Sequence, residues 1–156
     1  AAPMTSLETL QTYAKFFENL SLSSLEHLDD LVTEDVRFRD PLHELRGRSA
    51  VKQLLAAMLR SMPDVRFHID DLALGQRGGF LSWTMRASFR RRDFEFEGVS
   101  VVLFSASGLV SSHVDQWDAA SNVHAKIPVL GALIRSVNRH IAKASYGSSI
   151  DRGRAN

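Results

Sequence analysis

The 156-residue chain has no cysteine, which removes disulfides, thiolate nucleophiles and zinc–thiolate centres and leaves the redox compartment unreadable. With 4 prolines and 9 glycines it is neither fibrous nor of low complexity, and it contains no internal repeat. Neither sign of charge prevails: 19 Lys and Arg against 18 Asp and Glu leave a net +1, so the overall field gives no reason to expect nucleic acid or an acidic partner. No apolar run approaches the roughly eighteen residues of a membrane-spanning helix. The opening Ala1-Ala2-Pro3-Met4 carries neither the basic nor the apolar segment of a secretion signal, and Met4 reads as a natural start. A soluble cytoplasmic protein without membrane contact is expected.

Hydrophobic residues make up 44% and charged residues 24%, the composition of a folding globular chain. One domain over residues 5–145 with a flexible tail over 146–156 is expected. From Thr5 to Asn19, Leu7, Leu10, Tyr13, Ala14 and Phe17 recur at helical spacing, and a second short helix capped by Ser23 or Ser24 is predicted through Leu25, Leu28, Leu31 and Val32. Val36 to Asp40 alternates as a strand and is stopped by Pro41, which lacks a donor and disfavours helix at Asp40. After Gly47, Val51, Leu54, Leu55, Met58 and Leu59 form a further helical stripe ended by Pro63. Val65–Leu74, Phe80–Phe89, Phe94–Phe104 and Leu109–Trp117 read as four long strands joined by short turns. A last helix, after Pro128, carries Val129, Leu130, Leu133, Ile134, Val137 and Ile141 among Arg135, Arg139, His140 and Lys143. This order predicts an α+β fold, with segregated helices packed on a cone-shaped, curled antiparallel sheet and a ligand space between them.

Phe38-Arg39-Asp40-Pro41, then Gly47-Arg48 opening a helix, and a meander ending in Gln116-Trp117 resemble the nuclear transport factor 2-like superfamily. The resemblance extends to its SnoaL-like and ketosteroid-isomerase-like branches and covers Leu7 to Trp117. An uncharacterised bacterial branch is closer still, sharing the Asp115-Gln116-Trp117-Asp118-Ala119-Ala120 run and Lys126-Ile127-Pro128-Val129-Leu130-Gly131. The resemblance implies a cystatin-like α+β roll working without cofactor or metal, a pocket at the Trp117 position, and a general base at Asp40, which matches the steroid isomerases' catalytic aspartate. Those enzymes face their base with a tyrosine and a protonated aspartic acid. The alignment places Phe16 and Ser100 at these two positions, so steroid isomerisation itself is not expected, removal of one oxyanion donor costing about a hundredfold or more. Tyr13, one turn earlier, is a substitute donor if the helix is shifted.

Asp40, His113 and Asp115 are the candidate catalytic residues. A carboxylate facing an apolar cavity has its pKa raised towards the range of a useful base; the competing reading is that Asp40 binds the amides of its own turn. His113, Asp115 and Trp117 fall two apart on one strand face, where a carboxylate can orient an imidazole, or where the charges simply pair locally or meet Arg86 or Arg90 across the sheet. Tyr13, Phe16, His43, Trp83, Ser100 and Trp117 are the candidate ligand-binding residues. Trp83, Phe89, Phe94, Phe96 and Phe104 suit an apolar ligand or plain core. His43 with Asp40, His113 and Asp115 suggests a metal set only weakly, no compact ligand spacing being present, and neither metal nor cofactor is expected. Epoxide opening requires an arginine beside the aspartate, which the pattern does not place. The expected partners are a small apolar molecule and a second copy of the chain, paired through the sheet. A non-catalytic dimeric interaction module, its last helix binding a partner, is the alternative; the plain reading of that helix is a cover over the mouth of the cone with its arginines in water.

Overall fold

The computed structural model describes residues 6–118, 132, 135–139 and 141. The run at 119–120, the segment at 126–131, most of the predicted last helix and the predicted tail lie outside the described residues. Helix α1 (Ser6–Glu18) buries Leu10, Tyr13, Ala14 and Phe17 of the predicted stripe, with Phe16 beside them, whereas Leu7, in its first turn, is exposed. The next element is a 3-10 helix, Ser23–Asp30, with a different cap from the one expected. Ser21 and Ser24 exchange hydrogen bonds, each hydroxyl accepting from the other's amide at 2.9 and 3.2 Å. The predicted second helix also runs too far, because Val32 already starts strand β1 (Val32–Arg39). A short strand not foreseen, β2 (Glu44–Arg46), pairs back on β1 across the Asp40–His43 turn. Helix α2 (Arg48–Ser61) follows Gly47, whose φ of 99° lies in the region natural to glycine.

Strands β3 (Arg66–Leu74), β4 (Gly78–Phe89), β5 (Arg92–Phe104) and β6 (Val110–Trp117) form the predicted meander. Leu81, Trp83, Met85, Ala87 and Phe89 turn inward from β4 and are all buried, as strict alternation requires. The sheet order is β2-β1-β6-β5-β4-β3, antiparallel except where β6 lies parallel to β1. The last strand therefore returns beside the first. Register shifts at Val32/Arg37, Ile69/Asp71 and Leu103/Phe104 add local twist, and bulges of this kind curl a sheet without closing it. Helix α1 packs on β3 and β4, α2 on β1 and β2, and the core lies in the concavity between the helices and the inner sheet face. Residues 135–139 are helical, with Val137 turned into that concavity.

Candidate functional site

Between α2 and the inner sheet face lies a cavity of about 140 Å³, close to the size of cavity that admits benzene. Its floor is apolar: Leu54, Leu55, Met58 and Met62 come from α2 and its end. One wall is a continuous run of aromatic rings, Phe67 to Trp83, Trp83 to Phe96 and Phe96 to Trp117, with centroids 5.8, 6.1 and 5.2 Å apart. Such a wall offers faces and edges to a flat or cyclic apolar molecule.

Strand register builds the polar end. Ser100 of β5 lies directly opposite Asp115 of β6, and Gly98 opposite Trp83 of β4. The bare backbone of Gly98 makes room for the Trp83 ring, into which any Cβ would drive. The indole Nε1 donates to Ser100 Oγ at 2.9 Å, and Ser100 Oγ donates to Asp115 Oδ1 at 2.5 Å. From the other side His113 Nε2 lies 2.6 Å from the same Oδ1, and His113 Nδ1 lies 2.9 Å from Tyr13 Oη. Burial, followed by the negative charge of Asp115, pushes the Tyr13 phenol far above its ordinary range, so Tyr13 carries its proton. The consistent assignment is Tyr13 O–H donating to Nδ1 and Nε2–H donating to Asp115. Two chains of donors thus converge on one carboxylate oxygen, while Oδ2 accepts no hydrogen bond among the described residues. The His113 ring is itself enclosed by Tyr13, Phe17 and Phe38, at 5.7, 5.5 and 5.0 Å.

A second polar group stands at the β1–β2 turn. Arg39 pairs with Val114, so Asp40 leaves β1 at the level of Asp115. Its Oδ1 accepts the amides of Leu42 and His43, both at 2.7 Å, the turn-holding arrangement that an Asp-Pro pair favours. His43 Nδ1 lies 3.1 Å from both carboxylate oxygens and Nε2 lies 3.3 Å from Asn138 Oδ1. The Asp40 hydrogen bond and charge, with help from Asn138, outweigh burial and raise the His43 pKa above 6.5. Protonated, His43 has an N–H for each of these acceptors.

Asp40, His43, Trp83, Ser100, His113, Asp115 and Trp117 all line the one cavity. Tyr13 and Phe16 do not. The Tyr13 hydroxyl is held by His113 and so is not the free oxyanion donor it would need to be, whereas Phe16 packs behind Phe17 with ring centroids 5.3 Å apart. A helix turns about 100° per residue, and that one step makes Phe17 the lining residue. Of the five sheet aromatics that suited a ligand, only Trp83 and Phe96 line the cavity. Phe67 and the α2 side chains were missed as lining, although α2's apolar stripe was legible. The expected meeting of the strand charges with Arg86 or Arg90 does not occur: Arg86 pairs with Glu95, and Arg90 lies over the Phe89 ring. Among the described residues, Asp40, His43, His113 and Asp115 do not gather as a metal-binding group.

Solved structures share this architecture. An NTF2-like protein of unknown function from Exiguobacterium is 17% identical, with a TM-score of 0.63 over 72% of this chain and 99% of its own. A proposed SnoaL-like polyketide cyclase from Jannaschia is 10% identical, with a TM-score of 0.66 over 80% and 94%. An LEH-like epoxide hydrolase from Mycobacterium tuberculosis is 14% identical, with a TM-score of 0.64 over 83% and 94%. At such identities they share the fold alone. No curated protein matches the chain. The SnoaL-like domain family model matches residues 13–113, a stretch running from the Tyr13 hydroxyl to the histidine it binds, and the chain belongs to the SnoaL-like domain family.

Proposed function

We propose that this domain binds a small apolar molecule bearing one polar oxygen and moves a proton on it, with Asp115 as the base. The observation that carries this reading is the convergence of Ser100 and His113 on Asp115 Oδ1 inside an aromatic cavity. Two donors hold the carboxylate in place and stabilise its charge, and Oδ2 remains to accept a proton from the ligand. His113 has both ring nitrogens engaged and is enclosed by aromatic rings, so it positions Asp115 and fixes its orientation. The Asp40–His43 pair supplies the complementary acid once the ligand oxygen takes the place of Asn138 Oδ1 as the acceptor of Nε2–H, the longer of the two His43 contacts at 3.3 Å, so that the protonated imidazole donates as Asp115 withdraws a proton. Asp40, named first by resemblance, then acts through His43. Both the cyclase and the epoxide-hydrolase relatives by fold are consistent with this class of chemistry. The cavity admits something near a single ring, which argues for substrates smaller than a steroid.

The elementary step can be followed without knowing the substrate, by NMR of hydrogen–deuterium exchange at the α-carbon of cyclohexanone. The protein should accelerate exchange, and Asp115→Asn should lower that acceleration about a hundredfold or more while far-UV circular dichroism stays unchanged. Equal exchange by the two proteins would remove Asp115 as the base. A second reading, a dimeric interaction module, is favoured by the outer sheet face, where Phe80, Val99 and Leu103 are 40 to 44% exposed. It and the first are compatible, since that face points away from the cavity.

A further inference from the structure

Above the cavity, the last helical segment and the β4–β5 hairpin form a second, open concavity lined by Arg90, Ala132, Arg135, Asn138 and Arg139. Arg135 and Arg139 stand four residues apart, on one face of the helical stretch 135–139, where like charges repel and weaken an exposed helix. Arg90 joins them from the other side, in the hairpin turn, with a φ of 52° that an arginine adopts only at a cost. None of the three pairs with a carboxylate among the described residues, although Arg37, Arg46, Arg48 and Arg86 elsewhere each do. Isolated unpaired arginines are ordinary; three guanidinium groups brought to one concavity by two separate elements are not, and they concentrate positive potential there.

This concavity is joined to the cavity by single residues. Val137 lines the cavity, its neighbour Asn138 lines the concavity, and Asn138 meets His43, which lines the cavity. We propose that Arg90, Arg135 and Arg139 form an anion subsite that holds a phosphate or carboxylate on the tail of the ligand whose apolar part occupies the cavity. The inference rests on the small-apolar-ligand reading above and narrows it: the substrate is an amphiphilic anion. Guanidinium groups suit this task because they present paired donors to planar or tetrahedral oxyanions and remain charged at any physiological pH.

The test compares hexyl phosphate with hexanol by isothermal titration calorimetry, with inorganic phosphate as a third titrant. Hexyl phosphate should bind about tenfold or more tightly than hexanol, its advantage should shrink with added salt, and in Arg90→Gln/Arg135→Gln/Arg139→Gln the ratio should fall to about one. Exposed arginines can be changed in this way without loss of the fold, which the thermal midpoint of the triple variant checks. Hexanol binding with no preference for hexyl phosphate, or a preference that survives in the triple variant, overturns the subsite alone. Hexyl phosphate or inorganic phosphate binding through these arginines without any hexanol binding sinks the apolar-cavity reading and, with it, the composite ligand. Capture of the protein by vesicles of equal phosphatidylserine and phosphatidylcholine through the same arginines, without preference for hexyl phosphate, overturns the proposal in favour of a membrane surface.

Discussion

At the scale of single residues, the polar end of the cavity depends on two short chains of hydrogen bonds that meet at Asp115. Tyr13→Phe deletes the hydroxyl that faces His113 Nδ1 and leaves that buried nitrogen unpaired, a loss of about 1–3 kcal/mol that urea unfolding would show. Gly98→Ala places a methyl against the Trp83 ring. Overpacking of this kind costs about 1–3 kcal/mol, and displacement of the indole from Ser100 should also quench or shift its fluorescence. His43 has a signed pH dependence. Its raised folded pKa means that the stability contributed by the Asp40–His43–Asn138 contact is fully present below the ordinary value of 6.5 and is lost as pH rises through the higher folded value. The thermal midpoints of the wild type and His43→Gln should therefore differ most at acid pH and converge on the alkaline side, and an imidazole titration by NMR should place the His43 midpoint above 6.5.

At the scale of elements, the β4–β5 hairpin is held by an unusual turn. Phe89 pairs with Arg92, so Arg90 and Arg91 are its two central residues, at φ of 52° and 62°. A two-residue hairpin connection needs this left-handed conformation and is normally built from Asn and Gly. Arg91→Gly removes the steric cost at one position and should stabilise the protein by about 1 kcal/mol, observable as a raised urea midpoint at constant slope; an unchanged or lower midpoint would mean that the arginine side chain makes up for its backbone. Strand β6 has the opposite character. Its parallel bond to β1 and antiparallel bond to β5 are what bring Asp40, Ser100 and Asp115 to one end of the sheet. Side-chain changes at the outer positions of β6 should disturb this less than any that shift its register, because a slip of one residue exchanges the faces.

At the scale of the whole molecule, the curled sheet presents two unlike faces. The inner face forms the cavity, and the outer face exposes Phe80, Val99 and Leu103 on strands whose register sets Phe80 opposite Val101, and Leu103 opposite Ser112. Apolar patches of this sort on a sheet are suited to association, and the pairing of two copies through this face remains our proposal for the partner. Light scattering over a range of concentrations should give twice the 17.4 kDa chain mass, and Val99→Lys should shift it to the monomer while leaving the circular dichroism spectrum unchanged. A concentration-independent monomer in the wild type would count against the pairing. Among the described residues no helix is long and apolar enough to cross a membrane.

The sequence by itself determined most of the elements and the inward faces. Helical spacing marked α1 and α2, alternation marked the meander, and Pro41 after Asp40 marked the end of β1, because these signals are local and follow from backbone periodicity and proline's missing donor. It also placed His113, Asp115 and Trp117 on one face, since side chains two apart on a strand must share it. Three features needed tertiary structure. The strand order decided that Ser100 and Trp83 brace Asp115, because cross-strand partners come from register and not from separation along the chain. The phase of α1 against the sheet decided that Phe17 lines the cavity and that Tyr13 bonds His113, since a helix's period identifies its buried face but not which residue of that face meets a given strand. The contest at Asp40 between a carboxylate free in the cavity and one holding its own turn was open in the sequence. The backbone path through Leu42 and His43 brought both amides onto Oδ1, and only a folded turn can do that.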